Sequence, residues 1–416
     1  MAIGVRTIGN RPGLLDWFAP AVAFAVNGAM YGTLLTRYPE IADRTQASET
    51  AFGVVLFASA LGGLVGSLVA PALVRARGDF GATLLAGFGY AVLAVSVAWA
   101  PELLFLGLAL LLMGVLDGAH DVGMNAVAVR GQQRRRTSLM GRMHATWSLS
   151  LTAAGVLGAA AAGLRVPVVA HVTVVTVVAV AAQVAVLVLR RRAGPADDDP
   201  PVRTEPAAID PAATDPVAPG VATGSARARR LRYVLPVLAL AALAASYVES
   251  PGQEWTGLLL SRGLLAPPEV AAAAPVVFAA GLVASRLVLD VAVRRFGTVP
   301  VAAVAGATVV GSMLAGLAVT AVDASAWWAL AAIAGAGLGA GPIFPMLFGA
   351  ADHLSVRHGI APARTASIVS ALSRIGAISA PVVVGPLTET FGMAMVFAVM
   401  AVGGALVLLT LPRAAH

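Results

Sequence analysis

The sequence predicts an all-α membrane protein in which twelve transmembrane helices form two pseudo-symmetric six-helix bundles. Three observations carry this. The 416-residue chain is 58% hydrophobic and 12% charged, against about 25% charged in soluble domains, so its apolar surface needs lipid as its solvent. Its apolar runs repeatedly reach the ~20 residues that a helix needs to cross a hydrocarbon core about 30 Å thick. A polar, proline-rich stretch also divides the chain into halves of 192 and 190 residues.

Taken in order, the first-half runs cover 14–36, 50–74, 81–100, 102–129, 143–164 and 167–190. The first follows Arg6 and Arg11 but contains Asp16 and Asn27 and lacks a small-residue cleavage site, so it reads as a retained span and not a cleaved signal peptide. The second stops at Arg75, the fourth at Arg130, the fifth at Arg165 and the sixth at Arg190-Arg191-Arg192. In the second half the runs cover 232–260, 270–293, 299–320, 326–350, 363–387 and 391–411. The seventh is interrupted by Pro251-Gly252, and the eighth stops at Arg294-Arg295.

Between the halves, 193–226 holds seven prolines, six acids and no aromatic residue. Such a segment cannot bury a core and reads as a disordered linker. The domains are therefore 1–192, an N-terminal six-helix bundle, and 227–416, a C-terminal one. A shift of 219 residues aligns Gly62–Gly78 with Gly281–Gly297 at six identities in seventeen, including Arg75/Arg294 and Gly78/Gly297. Both segments close the second span of their half, which points to an internal duplication.

All 28 basic residues are arginines, and cytoplasmic loops collect such charge. With both termini inside, 22 arginines lie on the inner side and 4 on the outer, while Arg286 and Arg374 fall within spans. The expected location is the plasma membrane, crossed many times, with both termini and the linker cytoplasmic. Arginines set between apolar runs do not form a nucleic-acid patch. The absence of Cys excludes disulfides, thiol nucleophiles and Cys-ligated metals.

Two sets of six spans, a central loop flanked by arginines, and a Gly-to-Arg-Gly signature after the second and eighth spans resemble the major facilitator superfamily. The likeness covers nearly the whole chain outside the linker. In that family the loop reads Gly-x3-Asp-Arg-x-Gly. Here the second copy keeps Asp290, Arg294 and Gly297, whereas the first keeps Arg75 and Gly78 but has Pro71 opposite Asp290. The resemblance implies that these residues form the gating loops. A narrower likeness rests on Asp121-Val-Gly-Met-Asn125, His144-Ala-Thr-Trp147-Ser148-Leu149, Glu249 with Glu254-Trp255, and the run from Gly337 to Pro345. These look like the bacterial sugar-permease-like branch with its proton-coupled fucose permease relatives. Gln132 stands where that branch implies an acid, and Arg374 where it implies an uncharged residue.

Ionisable residues deep in a bilayer are costly, and those that persist face a water-filled cavity or a partner. In the fourth span Asp117, Asp121 and Asn125 stand at i, i+4 and i+8 on one helix face, with His120 beside them. Asp121 lies nine residues from Arg130, about 13–14 Å along the helix and so near mid-membrane. Burial disfavours the charged form of a carboxyl, the property a proton carrier needs; the plainer reading is an Asp that only accepts hydrogen bonds. His144, Ser148 and Thr152 repeat the same spacing at the start of the fifth span, beside Trp147. His144 suits proton relay or substrate binding, or a hydrogen bond near the inner face.

Glu249 precedes the Pro251-Gly252 breaker, and broken helices often border substrate sites. Glu254 reads as a loop or gate acid. Arg374, ten residues from Arg364, needs an anion: Asp117 or Asp121 across the halves, Glu249, or an anionic substrate. Arg286 reads as a structural residue that snorkels.

The glycine run 335–341 has no preceding strand and serves close helix packing, not phosphate binding. His353 and His358 read as solvated loop residues. The chain is expected not to be an enzyme and to need no cofactor or metal. It is expected to be a secondary active transporter working by alternating access, proton-coupled, for a sugar or similar polar solute, with proton-driven drug or metabolite efflux as the rival. The expected partners are the small-molecule substrate, protons and the lipid bilayer, and the expected state is a monomer.

Overall fold

A computed structural model of the chain describes residues 15–192, 224–322, 324–358 and 362–414, and every element among these is helical. After α1 (Leu15–Arg44) comes one helical run, Glu49–Trp99, of 51 residues. At 1.5 Å per residue it is about 75 Å long, enough for two crossings. It breaks at Gly78, whose φ of 68° and ψ of 165° suit a residue without Cβ, and so divides into α2 (49–77) and α3 (79–99). The N-terminal half closes with α4 (Leu103–Arg135), α5 (Met140–Gly163) and α6 (Val168–Arg192). The C-terminal half comprises α7 (Gly224–Glu254), α8 (Pro268–Phe296), α9 (Thr298–Ala321), α10 (Ala326–Ala340 and Ile343–His358), α11 (Pro362–Phe391) and α12 (Met395–Ala414). Each of the twelve expected spans has its helix.

Helix ends differ from the sequence reading where side chains find partners. α1 continues past 36, and Arg37, assigned to an outer loop, is fully buried, donating to Glu40 (2.9 Å) and to the Val166 carbonyl (2.6 Å). α7 starts at Gly224, three residues inside the interval assigned to the linker, and the remainder, 193–223, lies outside the described residues. It then runs through Pro251-Gly252 and ends only at Glu254, followed by a short turn, Thr256–Leu258, and a π turn, Leu259–Gly263. Gly252 admits the Phe278 ring, so it serves packing and not a break. The second segment of α10 reaches His358, which places His353 and His358 on a helix and not in a loop.

The two glycine loops share a backbone geometry. Gly297 has φ 85° and ψ 161°, nearly the conformation of Gly78, and it separates α8 from α9 as Gly78 separates α2 from α3. Gly62 and Gly66 of α2 lie against carbonyls of α4, and Gly281 of α8 lies against Ala334 of α10. Small residues let helix backbones approach in lipid, where no hydrophobic force drives them together. The glycine run 335–341 works this way, Gly337 meeting Phe278 and Gly339 meeting Ala305.

The halves meet through α2 against α11 and α5 against α8. Gly53 packs on Pro381, Gly385 on Glu49, Gly155 on Val276 and Gly163 on Glu269. These positions cluster at the end of the molecule that carries the α1–α2 and α7–α8 connections. Polar ties cross there too. Arg262, in the π turn, donates to Asp43 (2.8 Å), to the Ala47 carbonyl (3.0 Å) and to Glu49 (3.1 Å). Glu389 of α11 accepts from the Ser48 hydroxyl (2.9 Å) and the Thr50 amide (2.8 Å) at the start of α2.

Candidate functional site

Beneath that closed end lies a central chamber with walls from both halves, found as two adjoining cavities of about 290 Å³ and 470 Å³. Both are lined by Tyr31, Asp117 and Asp121. The smaller adds Tyr38, Ser59, Glu254 and Arg374; the larger adds Phe24, Asn27, His144, Trp147 and Gln253. His144, one turn into α5 from the opposite end, is exposed, so the chamber reaches toward that end.

The N-terminal wall is organised by Asn27 of α1. Its side-chain amide donates to Asp117 of α4 (2.6 Å), and its side-chain oxygen accepts from the Trp147 indole of α5 (2.7 Å). Every polar group of that amide is thus committed to tying three helices together. Trp147 also stacks on Tyr31, with centroids 6.3 Å apart and planes 26° apart. Asp121, one turn from Asp117, accepts from the Asn125 amide at 3.2 Å, and both aspartates line the chamber.

The predicted residues separate into those on the wall and those behind it. Asp117, Asp121, His144, Trp147 and Arg374 line the chamber. Asn125 buttresses Asp121, its amide also donating to the Asp121 carbonyl (2.8 Å). His120 is fully buried inside the N-terminal half, against Tyr90 and next to Gly87 and Gln183. Ser148 offers its carbonyl to Thr152 and is not on the chamber wall.

Glu249 lies one residue layer back. The Gln253 amide donates to it at 3.2 Å, and Arg286 of α8 approaches it at 3.7 Å. Arg286 is therefore an ion-pair partner of Glu249. Glu254, read as a loop or gate acid, faces the chamber and accepts from Ser250 (3.0 Å), because α7 stays helical for one more turn. Arg374 faces the same chamber as Asp121, with no ion pair within 4 Å among the described residues.

At the opposite end from the closed face, Arg75, Gly78, Asp290, Arg294 and Gly297 all stand exposed. The ion pair at the first loop is made by a residue the sequence reading passed over: buried Asp79, next to Gly78, pairs with Arg130 at the end of α4. Asn27 and Tyr38 were missed as well. The signal for Asn27 was an i, i+4 polar spacing to Tyr31, which an otherwise apolar helix hides.

Comparisons with known proteins follow this geometry. The Major Facilitator Superfamily model matches residues 21–363. An uncharacterized transporter, y4wD, of Sinorhizobium fredii is 26% identical over 408 residues, covering 96% of this chain and 98% of that protein. Among solved structures, a variant of the nucleoside transporter NupG superposes with a TM-score of 0.74 at 11% identity, covering 96% of this chain and 99% of that one. A bacterial homologue of the iron transporter ferroportin in an inward-facing state superposes with a TM-score of 0.65 at 13% identity, covering 96% and 98%. At these identities the structures establish the fold.

Proposed function

The chain belongs to the Major Facilitator Superfamily, and from that premise we propose that it is a proton-coupled secondary transporter that moves a sugar or similar polar solute across the plasma membrane by alternating access. The observation that carries this reading is the chamber itself: Asp117 and Asp121 of one half and Arg374 of the other share its wall. A site at the interface of the repeats is exposed to alternate sides when the halves rock. The arginine asymmetry supports an orientation with the latched end outside, the chamber's open end inside and both termini cytoplasmic. Asp121 carries the proton in this reading, with Asp117 as the alternate, since both share the chamber wall with Arg374 and His144.

A ligand screen by thermal stabilisation over sugars, nucleosides, organic acids and organic cations identifies the solute, because a ligand that binds only the folded protein raises its melting temperature. With that solute in proteoliposomes, Asp121→Asn is expected to abolish accumulation driven by a pH gradient and to spare exchange. Exchange needs binding and rocking but no net proton release. Gradient-driven accumulation by Asp121→Asn at the wild-type level refutes this assignment.

One observation favours efflux of cationic compounds as the second reading. The wall sets three carboxylates, Asp117, Asp121 and Glu254, against one guanidinium, beside the stacked Tyr31 and Trp147. Aromatic faces and excess negative charge suit a cation. Stabilisation by organic cations and not by sugars selects that reading.

A further inference from the structure

α10 breaks between Ala340 and Ile343, and its sequence explains which backbone groups the break strands. In a helix each carbonyl accepts from the amide four residues on. Pro342 and Pro345 have no amide hydrogen, so the carbonyls of Leu338 and Gly341 lose their helical partners. The Gly341 amide still bonds to Gly337 (3.0 Å) and Met346 to Pro342 (3.1 Å), so the helix resumes on either side. The orphaned Gly341 carbonyl is met by Arg286 of α8, whose Nε donates at 3.0 Å. Gly341 also abuts the Ser285 hydroxyl, which brings α8 close enough for that bond.

The same guanidinium reaches Glu249 of α7 at 3.7 Å through Nη2, and Glu249 accepts from Gln253 at 3.2 Å. Gln253 lines the chamber. An unbroken chain of polar contacts therefore runs from the chamber wall through Gln253, Glu249 and Arg286 to the break in α10. A guanidinium is suited to this, because its nitrogens form a planar fork that serves a carboxylate and a carbonyl together.

We infer that Arg286 is a positioning residue whose hold on the α10 break is set by Glu249, so that the chamber wall at Gln253 and the hinge of α10 move as one coupled unit. The inference deepens the transport reading by naming the element through which the chamber acts on the C-terminal half. Its test needs no substrate, so it stands or falls separately from that reading.

The experiment is hydrogen–deuterium exchange of the full chain in lipid nanodiscs, following peptides that span 338–350. Pro342 and Pro345 are silent, and the reporters are the amides of Gly341, Ile343, Phe344, Met346 and Leu347. Arg286→Gln removes the contact to α10 directly and is expected to speed exchange there. Glu249 makes no hydrogen bond or ion pair to α10 among the described residues, yet Glu249→Gln is expected to speed the same amides about fivefold, the scale of coupling between neighbours in one network. Combined with Arg286→Gln, it is expected to add nothing further. Gln253→Leu, at the chamber end, is expected to shift the same amides in the same direction by a smaller factor.

An Arg286 that merely caps the break predicts no response to Glu249→Gln or Gln253→Leu, and that result overturns the inference. Additive effects of Glu249→Gln and Arg286→Gln overturn it as well. If Arg286→Gln fails to fold, the single variants Glu249→Gln and Gln253→Leu still decide the outcome.

Discussion

Arg262→Ala is the sharpest test of how the halves are held. The guanidinium bridges the halves, contacting two carboxylates, Asp43 and Glu49, and the Ala47 carbonyl. Its side chain is 21% exposed, and those of Asp43 and Glu49 are 56% and 21% exposed. Exposed ion pairs contribute about 0.2–1 kcal/mol each, so loss of this partly shielded cluster removes about 1–2 kcal/mol. The contacts exist only while this end is closed, so their loss favours the conformer open there by about 5–30-fold.

The chain has no native Cys, which makes a single Cys at Ser59 on the chamber wall a clean reporter. In intact cells an impermeant maleimide should label Ser59→Cys slowly, and Arg262→Ala should raise that rate by about the same 5–30-fold. In inside-out vesicles the rate should fall. An unchanged rate from both sides refutes the latch. Fast labelling of the parent from outside refutes the orientation.

Three further outcomes follow from the chamber and its supports. Asn27→Ala leaves Asp117 and the Trp147 indole without their partner, and should lower stability by about 1–3 kcal/mol for each group, read as a fall in melting temperature. Gly66→Val drives a side chain into the Val115 carbonyl of α4, and should destabilise by about 1–3 kcal/mol or prevent insertion, read by melting and by membrane yield. In a double-mutant cycle on melting temperature, Arg374→Gln should couple to Asp121→Asn by about 0.5 kcal/mol or more, and be additive with Glu249→Gln, whose partner is Arg286.

The spans were legible because hydrocarbon thickness sets their length and charge sets their ends. What the periodicity hid is instructive. Gly78 was visible as a glycine between arginines, but its role in breaking a 51-residue helical run is a fact of backbone geometry. Asp117 and Asp121 stood out because charge is rare at that depth, and both line the chamber. Asn27 did not, since one amide in an apolar helix resembles any tolerated polar residue until α4 and α5 are packed against it. Glu254 was misplaced for a different reason. Pro251-Gly252 reads as a stop signal, but neighbouring helices in lipid resatisfy a freed backbone group and the helix continues.

The chamber's charges do not follow the repeat of the loops. On the offset of 219 that aligns the two loops, Asp117 and Asp121 of α4 correspond to Ala336 and Ala340 of α10, and Arg374 of α11 corresponds to Gly155 of α5. The loop geometry recurs in the second half, but the chamber's chemistry does not. Ala336 and Ala340 are 0% and 2% exposed, so carboxylates there would be buried away from the chamber that their counterparts line. Gly155 lies against Val276 of α8, where even a Cβ would come within 2.7 Å, so an arginine has no room. Carboxylates on α4 sharing the chamber with a guanidinium on α11 therefore form one attraction between the halves, with no copy between α10 and α5, and the Arg374–Asp121 cycle measures it.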